Sequence, residues 1–294
     1  LTLQAANAEK EFFIRFPFSP LSCRRLQTQE KLNNFLQNAA ISQVPKPVKE
    51  TESADFPCFV EEGLSGRNIE QEFAEMEAEK AKQYYQKAQE KIREVHLRFG
   101  HIAEMDDSEF TRHVQMRLDV ITEKLRDSET AAKALSRIRD YFREELLGKT
   151  VFISICHGDL KIGNCLFDED GGLTGIIDWD MAEEEGLTLV DISSLLAKTI
   201  RQRQQFSLAD ILLKMDTIPG DFLPIYHQYF DETKTTLIPL FTALLFYWLD
   251  RVYKQISFDP HLREEWINRN VLPIIENIET VLGMTRFLEK IVQM

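Results

Sequence analysis

Apolar residues follow two rhythms along this chain. Residues 11–16 (E-F-F-I-R-F) form a dense aromatic and β-branched run closed by Pro17, the pattern of a strand that carries one cation, Arg15, among apolar neighbours. After the turn P-F-S-P the period becomes helical over residues 22–38, through Leu26, Leu32, Phe35 and Leu36, with Glu30 near the middle. V-P-K-P-V breaks that helix, and F-P-C-F-V-E-E-G-L-S-G predicts a strand that ends in a Gly-containing connection at residues 63–66. From Asn68 to about Gly148 the pattern is that of charged helix, with Ile69, Phe73, Met76, Tyr84, Ile92 and Val95 spaced as one buried stripe. A helical stretch over 108–146 is interrupted near Asp127–Ser128, where Ser128 is placed to cap the second half.

Val151–Cys156 is a continuous apolar run, as a buried strand requires, and Leu166–Phe167 and Leu173–Ile177 predict two short strands around the turn D-E-D-G-G. The remainder reads as helices over 188–204, 207–215, 221–231, 234–256, 261–281 and the tail. The longest apolar run, Leu237 to Leu249, contains Pro239 and is too short to span a bilayer, so it is expected to be a buried helix. The order predicts a small α+β lobe over residues 1–66, ending in a hinge, and a large, mainly helical lobe over 67–294.

Composition adds three constraints. The 294 residues suffice for one large domain or two lobes, and 44% hydrophobic with 28% charged residues is the balance of a soluble globular protein. A net charge of −13 repels nucleic acid and anionic membranes and favours cationic or metal-bridged ligands. The four cysteines, Cys23, Cys58, Cys156 and Cys165, have neither zinc-site nor secretory spacing, and no signal peptide opens the chain, so reduced thiols in the cytoplasm are expected. The chain starts at Leu1 and not at Met, which leaves open that it is fused to, or part of, a longer polypeptide.

Chemistry concentrates between Cys156 and Asp191. Single Asp and Asn residues commonly serve turns, and Asp168 and Asp170 are read that way. Asp159, Asn164 and Asp178 differ, because two acids and an amide flank apolar strands that have no other use for them. Oxygen ligands so placed suit a hard divalent cation such as Mg²⁺.

H-G-D-L-x-x-x-N followed by I-I-D-W resembles the catalytic core of the aminoglycoside phosphotransferase and choline kinase family, whose members share the protein-kinase-like fold. Gly186 and Asp191 in G-L-T-L-V-D are similar to the family's G-x-P-x-x-D-L element, where the Asp braces the catalytic loop. The resemblance implies an α+β, two-lobed fold and transfer of the γ-phosphoryl of ATP to a hydroxyl of a small molecule, an aminoglycoside, amino alcohol or sugar-like compound. By it, Asp159 accepts or orients the hydroxyl proton, Asn164 and Asp178 hold Mg²⁺, and His157 and Asp191 are structural supports. Lys161 stands where serine/threonine kinases place a lysine on the transferred phosphate, or is an exposed loop lysine. Arg15 occupies the position of the lysine that grips the α- and β-phosphates, with Glu30 as its ion-pair partner, and Glu62–Leu64 resembles the hinge that binds adenine. Val95–His96 stands in the place of the family's L-H pair, as a packing or capping residue.

The family's Gly-rich phosphate loop is not found before Arg15; G-G-L-T-G at 171–175 lies in the wrong place. The first lobe is therefore expected to be truncated, without its first strands, or to continue upstream. A catalytically weak pseudokinase or a regulatory domain of a larger polypeptide is the alternative reading. Asp180 and Glu183–Glu185 offer acidity for a cationic acceptor or form a solvated face, and Tyr247, Trp248 and Tyr253 offer an aromatic cage or plain core. A peptide substrate is disfavoured, since no A-P-E or activation-loop stretch is present after Asp178.

Overall fold

The computed structural model describes residues 2–6, 11–48, 58–218, 220–259 and 261–283. Its first layer is an antiparallel sheet in the order β1-β2-β4-β3, formed by β1 (Thr2–Ala6), β2 (Glu11–Arg15), β3 (Lys46–Val48) and β4 (Phe59–Glu62). The strand that bears Arg15 is thus not the first. β1 pairs with it from Thr2 opposite Arg15 to Ala6 opposite Glu11, so one strand precedes it. Residues 56–57 of the expected second strand lie outside the described residues, as does the tail beyond 283.

Helix α1 (Pro20–Asn38) covers this sheet. Its start is written in S-P-L-S: Pro20 supplies a preset φ at the first turn, and Ser19 and Ser22 cap each other's backbone in a reciprocal box. Leu26, Leu32 and Leu36 face inward from it, but so do Gln29 and Asn33. Gln29 spends its polarity on hydrogen bonds to Arg15 and Glu61 of the sheet.

The chain crosses at residues 63–66 into β5 (Arg67–Asn68), which pairs with β8 (Cys165–Phe167); β8 in turn pairs with β9 (Leu173–Ile176). The charged stretch after β5 is two helices, α2 (Glu70–Phe73) and α3 (Ala78–Phe99), and the expected single stripe is divided between them while still reaching one core. Strand β6 (His101–Glu104), unforeseen in the sequence, pairs with β7 (Thr150–Cys156), and β10 (Glu183–Leu187) flanks β7 on the other side. Between β6 and β7 run α4 (Asp107–Phe110), a π-helical turn, α5 (Met116–Lys124) and α6 (Glu129–Leu146), the last capped by Ser128 as expected, its hydroxyl accepting from the Ala131 N–H at 3.2 Å.

The C-terminal third is helical: α7 (Leu189–Gln204), α8 (Asp210–Leu213), α9 (Leu223–Thr233), α10 (Leu240–Phe258), α11 (Glu264–Asn270) and α12 (Leu272–Glu276). α10 is the Leu237–Leu249 run; it starts after Pro239 and lies between α5 and α7 in the core. Among the described residues no helix is long and apolar enough to cross a membrane.

Phe142 of α6 is fully buried and meets Phe246 of α10 edge to face, with ring centroids 6.1 Å apart. Truncation to Ala is expected to cost about 3–5 kcal/mol in denaturant unfolding, whereas Leu97→Ala should change stability by no more than about 0.5 kcal/mol. Leu97 is 46% exposed, so little is lost there.

Candidate active site

β7 is buried along nearly its whole length and delivers His157, Gly158 and Asp159 into a loop at its end. His157 is a support. Its backbone N–H donates to Asp191 Oδ2 at 2.7 Å, its ring Nε2 donates to the Ile177 carbonyl at 2.8 Å, and Nδ1 accepts from the Asp159 N–H at 3.2 Å. These partners assign the tautomer, and the ring lies against Trp179 with centroids 4.8 Å apart. Gly158 has φ +80°, and a Cβ there would run into the Met181 carbonyl oxygen, so only glycine fits this turn.

Asp191, on the first turn of α7, is completely buried and accepts from the N–H groups of His157 and Gly158 at 2.7 and 2.8 Å and from His96 Nε2 at 3.2 Å. His96 in turn shares a hydrogen bond with the Tyr229 hydroxyl at 2.8 Å. Burial pushes the Asp191 carboxyl up, but the His96 bond and charge and the His157 backbone outweigh it and hold it below the usual range. His96, Cys156 and Asp191 form the one close group of three His, Cys, Asp or Glu side chains among the described residues. Burial and the neighbouring Asp191 push the Cys156 thiol up, and the Asp191 oxygens are already taken by the His157 and Gly158 N–H groups and the His96 ring.

Asn164 closes a short 3₁₀ turn before β8; its Nδ2 donates to the Asp159 carbonyl at 3.1 Å and its own carbonyl accepts from the Ile177 N–H at 2.9 Å. This leaves Asn164 Oδ1 without a hydrogen bond from the described residues. Asp178 lies just past β9 in a left-handed conformation, φ +69°, unusual for a side-chain-bearing residue, with its carboxylate 41% exposed.

Asp178 Oδ1 is 2.9 Å from Arg15, whose second terminal nitrogen is 3.1 Å from Glu61 Oε1. Gln29 of α1 completes the arrangement, accepting from Arg15 at 3.4 Å and donating to Glu61 Oε2 at 2.9 Å. The expected Arg15–Glu30 pair is therefore corrected: among the described residues Arg15 is paired by Glu61 and Asp178, and its helix contact is Gln29. Strand alternation explains this, because Arg15, Phe59 and Glu61 share the inner face of the sheet. Glu30 is half-buried next to that group. Burial lowers the Arg15 pKa, but Glu61 and Asp178 more than compensate, so the guanidinium stays charged. Arg15 Nε is buried without a partner, a donor left over for a ligand.

Asp159 has an environment that the sequence did not suggest. Its Oδ1 is 2.6 Å from Lys198 of α7 and 2.7 Å from Arg251 of α10, while Oδ2 accepts no hydrogen bond from the described residues. Burial pushes the Asp159 carboxyl up, but these two cations hold it at about 2, and burial pulls Lys198 down to about 8. Lys161, by contrast, is turned to Glu70 of α2 at 3.0 Å. The cations on Asp159 are Lys198 and Arg251, and Lys161 is not among them.

The other expectations divide. Leu64 lies against Gly175, and its backbone N–H and C=O make no hydrogen bond among the described residues, while Glu62 stays in β4 opposite Phe12 and Lys46. The acidic run is not a bare solvated face: it forms β10, with Glu183 on Arg117 at 3.0 Å, Glu184 on Lys31 at 2.6 Å and Glu185 on Arg112 at 2.8 Å. Asp180 is paired with Arg25. The aromatic cage is not assembled, for Trp248 is fully buried and donates to the Asn270 carbonyl at 2.8 Å, and Tyr247 is core beside Arg201.

A family model described as the phosphotransferase enzyme family matches residues 2–225. The chain belongs to that family. No curated protein matches the sequence. Solved structures share its two-lobed, protein-kinase-like fold. An aminoglycoside 3′-phosphotransferase of type VIII is 15% identical, with a TM-score of 0.56 over 86% of this chain and 88% of that one. An aminoglycoside phosphotransferase from Streptomyces rimosus, in complex with ADP and streptomycin, is 14% identical, with a TM-score of 0.53 over 84% and 87%. A Plasmodium vivax ethanolamine kinase is 13% identical, with a TM-score of 0.56 over 97% of this chain and 78% of that one. The family match stops before α10, the helix that supplies Arg251.

Replacing Asp191 by Ala leaves the His157 and Gly158 N–H groups buried without an acceptor and is expected to cost at least about 2 kcal/mol in denaturant unfolding. Acid should act on the same groups. The carboxyls of Asp159 and Asp191 are held down in the folded state, so the stability they confer is complete above the usual carboxylate range and is lost as pH falls below it, for Asp159 towards about 2. Urea midpoints across that range should drop with pH, and less steeply in Asp191→Ala.

Proposed function

We propose that this phosphotransferase-family protein moves the γ-phosphoryl group of ATP to a hydroxyl of a small molecule, with Mg²⁺. The observation that carries the reading is the division of labour between two carboxylates. Asp159 keeps Oδ2 available on a loop fixed by Asp191, and Asp178 directly follows Ile177, whose N–H binds the backbone carbonyl of Asn164, a residue with an uncommitted amide oxygen.

The donor set fits the metal, since Asp178 and Asn164 offer oxygen only, which suits a hard cation. Bound there, Mg²⁺ would neutralise phosphate charge during transfer. Arg15, anchored by Glu61 and Gln29 and with Nε to spare, is the phosphate clamp, a planar guanidinium being competent for bidentate contact. The open backbone of Leu64, beyond Glu62, is the adenine hinge. Asp159 Oδ2 receives the acceptor hydroxyl and aligns it. With its pKa near 2 it is a weak base, so its contribution is mainly orientation and late proton acceptance. Lys161, tied to Glu70, is assigned to shaping the catalytic loop.

Thermal unfolding tests this reading. ATP with Mg²⁺ is expected to raise the Tm of the full chain, ATP with EDTA to raise it much less, and Asp178→Ala to remove the metal-dependent part. Asp159→Ala should retain that shift while lowering ADP release, with water as acceptor when no other is supplied, by about 10²–10⁴-fold. An absent Mg²⁺-dependent shift, or one unchanged in Asp178→Ala, favours a regulatory module without catalysis.

A further inference from the structure

The cleft next to the catalytic loop has an unexpected charge for a chain with a net charge of −13. It is a cavity of about 480 Å³ between α1, the segment after Asp178, α5 with its preceding turn, and α10. Lys254 on its wall donates to the Gly158 carbonyl at 2.5 Å, and the Met181 carbonyl lies against Gly158, so the cavity abuts the residue that precedes Asp159. α10 carries both Lys254 and the Arg251 that binds Asp159.

Five of the lining side chains are cations, Arg24, Arg25, Arg112, Arg117 and Lys254, and two are carboxylates, Asp180 and Glu183. The acids are all spoken for. Asp180 is taken by Arg25, Glu183 by Arg117, and Asp250, buried behind the wall, by both Arg117 and Lys254 at 3.0 and 2.8 Å, while Arg112 is held by Glu185 at 2.8 Å. Arg24 has no side-chain partner among the described residues. Two of the guanidiniums are also fixed in orientation by aromatic faces, Arg25 over Phe258 and Arg117 over Tyr253, each 5.4 Å from the ring centroid. At the reaction centre itself, one carboxylate, Asp159, faces two cations.

A cationic acceptor needs a free acid or an aromatic cage, and this cleft offers neither. Placing an ammonium among these side chains would set like charges together in a partly desolvated space, a juxtaposition that weakens binding strongly. An oxyanion instead finds Arg24 unpaired among the described residues, beside guanidiniums already fixed in orientation.

We propose that the acceptor is an anionic alcohol, with a phosphate or carboxylate group held in the cleft by Arg24 and its neighbouring guanidiniums while the hydroxyl meets Asp159. The inference rests on the phosphotransferase reading for the word acceptor, and on the cleft alone for the anion. In a balanced transfer the hydroxyl oxygen forms the new P–O bond, the bond from the γ-phosphorus to the β-γ bridging oxygen breaks, ADP departs with that oxygen's electron pair, and the hydroxyl proton passes to Asp159 and then to solvent.

Anion binding can be measured without knowing the acceptor's identity. Full-length protein saturated with ADP and Mg²⁺ is titrated with sulfate, malonate or choline, against chloride at matched ionic strength, at millimolar levels too low for general salt stabilisation, and Tm is followed. Saturable stabilisation by sulfate or malonate, with the apparent Kd raised at least tenfold in Arg24→Glu and in Arg112→Glu, is the expected result. A stronger response to sulfate assigns a phosphorylated alcohol, and to malonate a hydroxy acid. No saturable anion effect, an effect unchanged in both variants, or saturable stabilisation by choline overturns the proposal. If sulfate binds as expected but ATP with Mg²⁺ does not, the phosphotransferase reading fails while the anion cleft stands; the reverse result leaves that reading and removes the anionic acceptor.

Discussion

A single buried carboxylate, that of Asp191, fixes the geometry of the reaction loop. Its oxygens receive the N–H groups of His157 and Gly158 and the ring of His96, so α7, β7 and α3 meet at one point. A buried charge is costly unless its lone pairs are filled, and here three donors fill them. The constraint propagates outward. With Gly158 pinned in a left-handed turn, His157 can reach back to Ile177, which ties the loop to the strand that positions Asp178. Asp159 and Asp178 come from segments nineteen residues apart, and this cross-link holds them on one framework.

The two carboxylates that matter most in the proposed reaction are both neutralised by the protein's own cations. Arg15 lies on Asp178, and Lys198 and Arg251 lie on Asp159. Such pairing offsets the cost of holding charges in a partly buried cleft, and each protein partner could be exchanged for a ligand of matching charge. In the proposed reaction a divalent cation would take the place of Arg15 on Asp178 and leave that guanidinium for phosphate. The proposed anionic acceptor would draw on the two cations at Asp159. The site is in this sense a set of ion pairs waiting for better partners.

Much of this was legible in the sequence, and the reasons are physical. Asp159, Asn164 and Asp178 flank apolar strands, where polar side chains need a purpose, and the short strands around D-E-D-G-G were plain from two apolar runs joined by a Gly-Gly turn. β1, β3, β6 and β10 were not, because each is three to five residues long and carries polar or mixed side chains that do not alternate clearly. Glu30 stood out over Glu61 as the partner of Arg15 because the true pairing depends on strand register, which a single chain does not display. Lys198 and Arg251 reach Asp159 from α7 and α10, distant in sequence. Their one signal was a charge inside apolar helices, in L-L-A-K-T-I and W-L-D-R-V-Y. The acidic run after Asp178 misled in the other direction, since its charges are spent on Arg117, Lys31 and Arg112.

The central claim is that Asp178 and Arg15 separate to take up a metal–nucleotide complex while Asp159 stays braced. A crystal structure with Mg²⁺ and a non-hydrolysable ATP analogue tests it most directly. The expected result is the metal on Asp178 and Asn164 Oδ1, Arg15 turned to the phosphates with its Glu61 contact kept, and the Asp191 contacts to His157 and Gly158 unchanged. An analogue bound elsewhere, or the Arg15–Asp178 pair intact beside it, would contradict the claim.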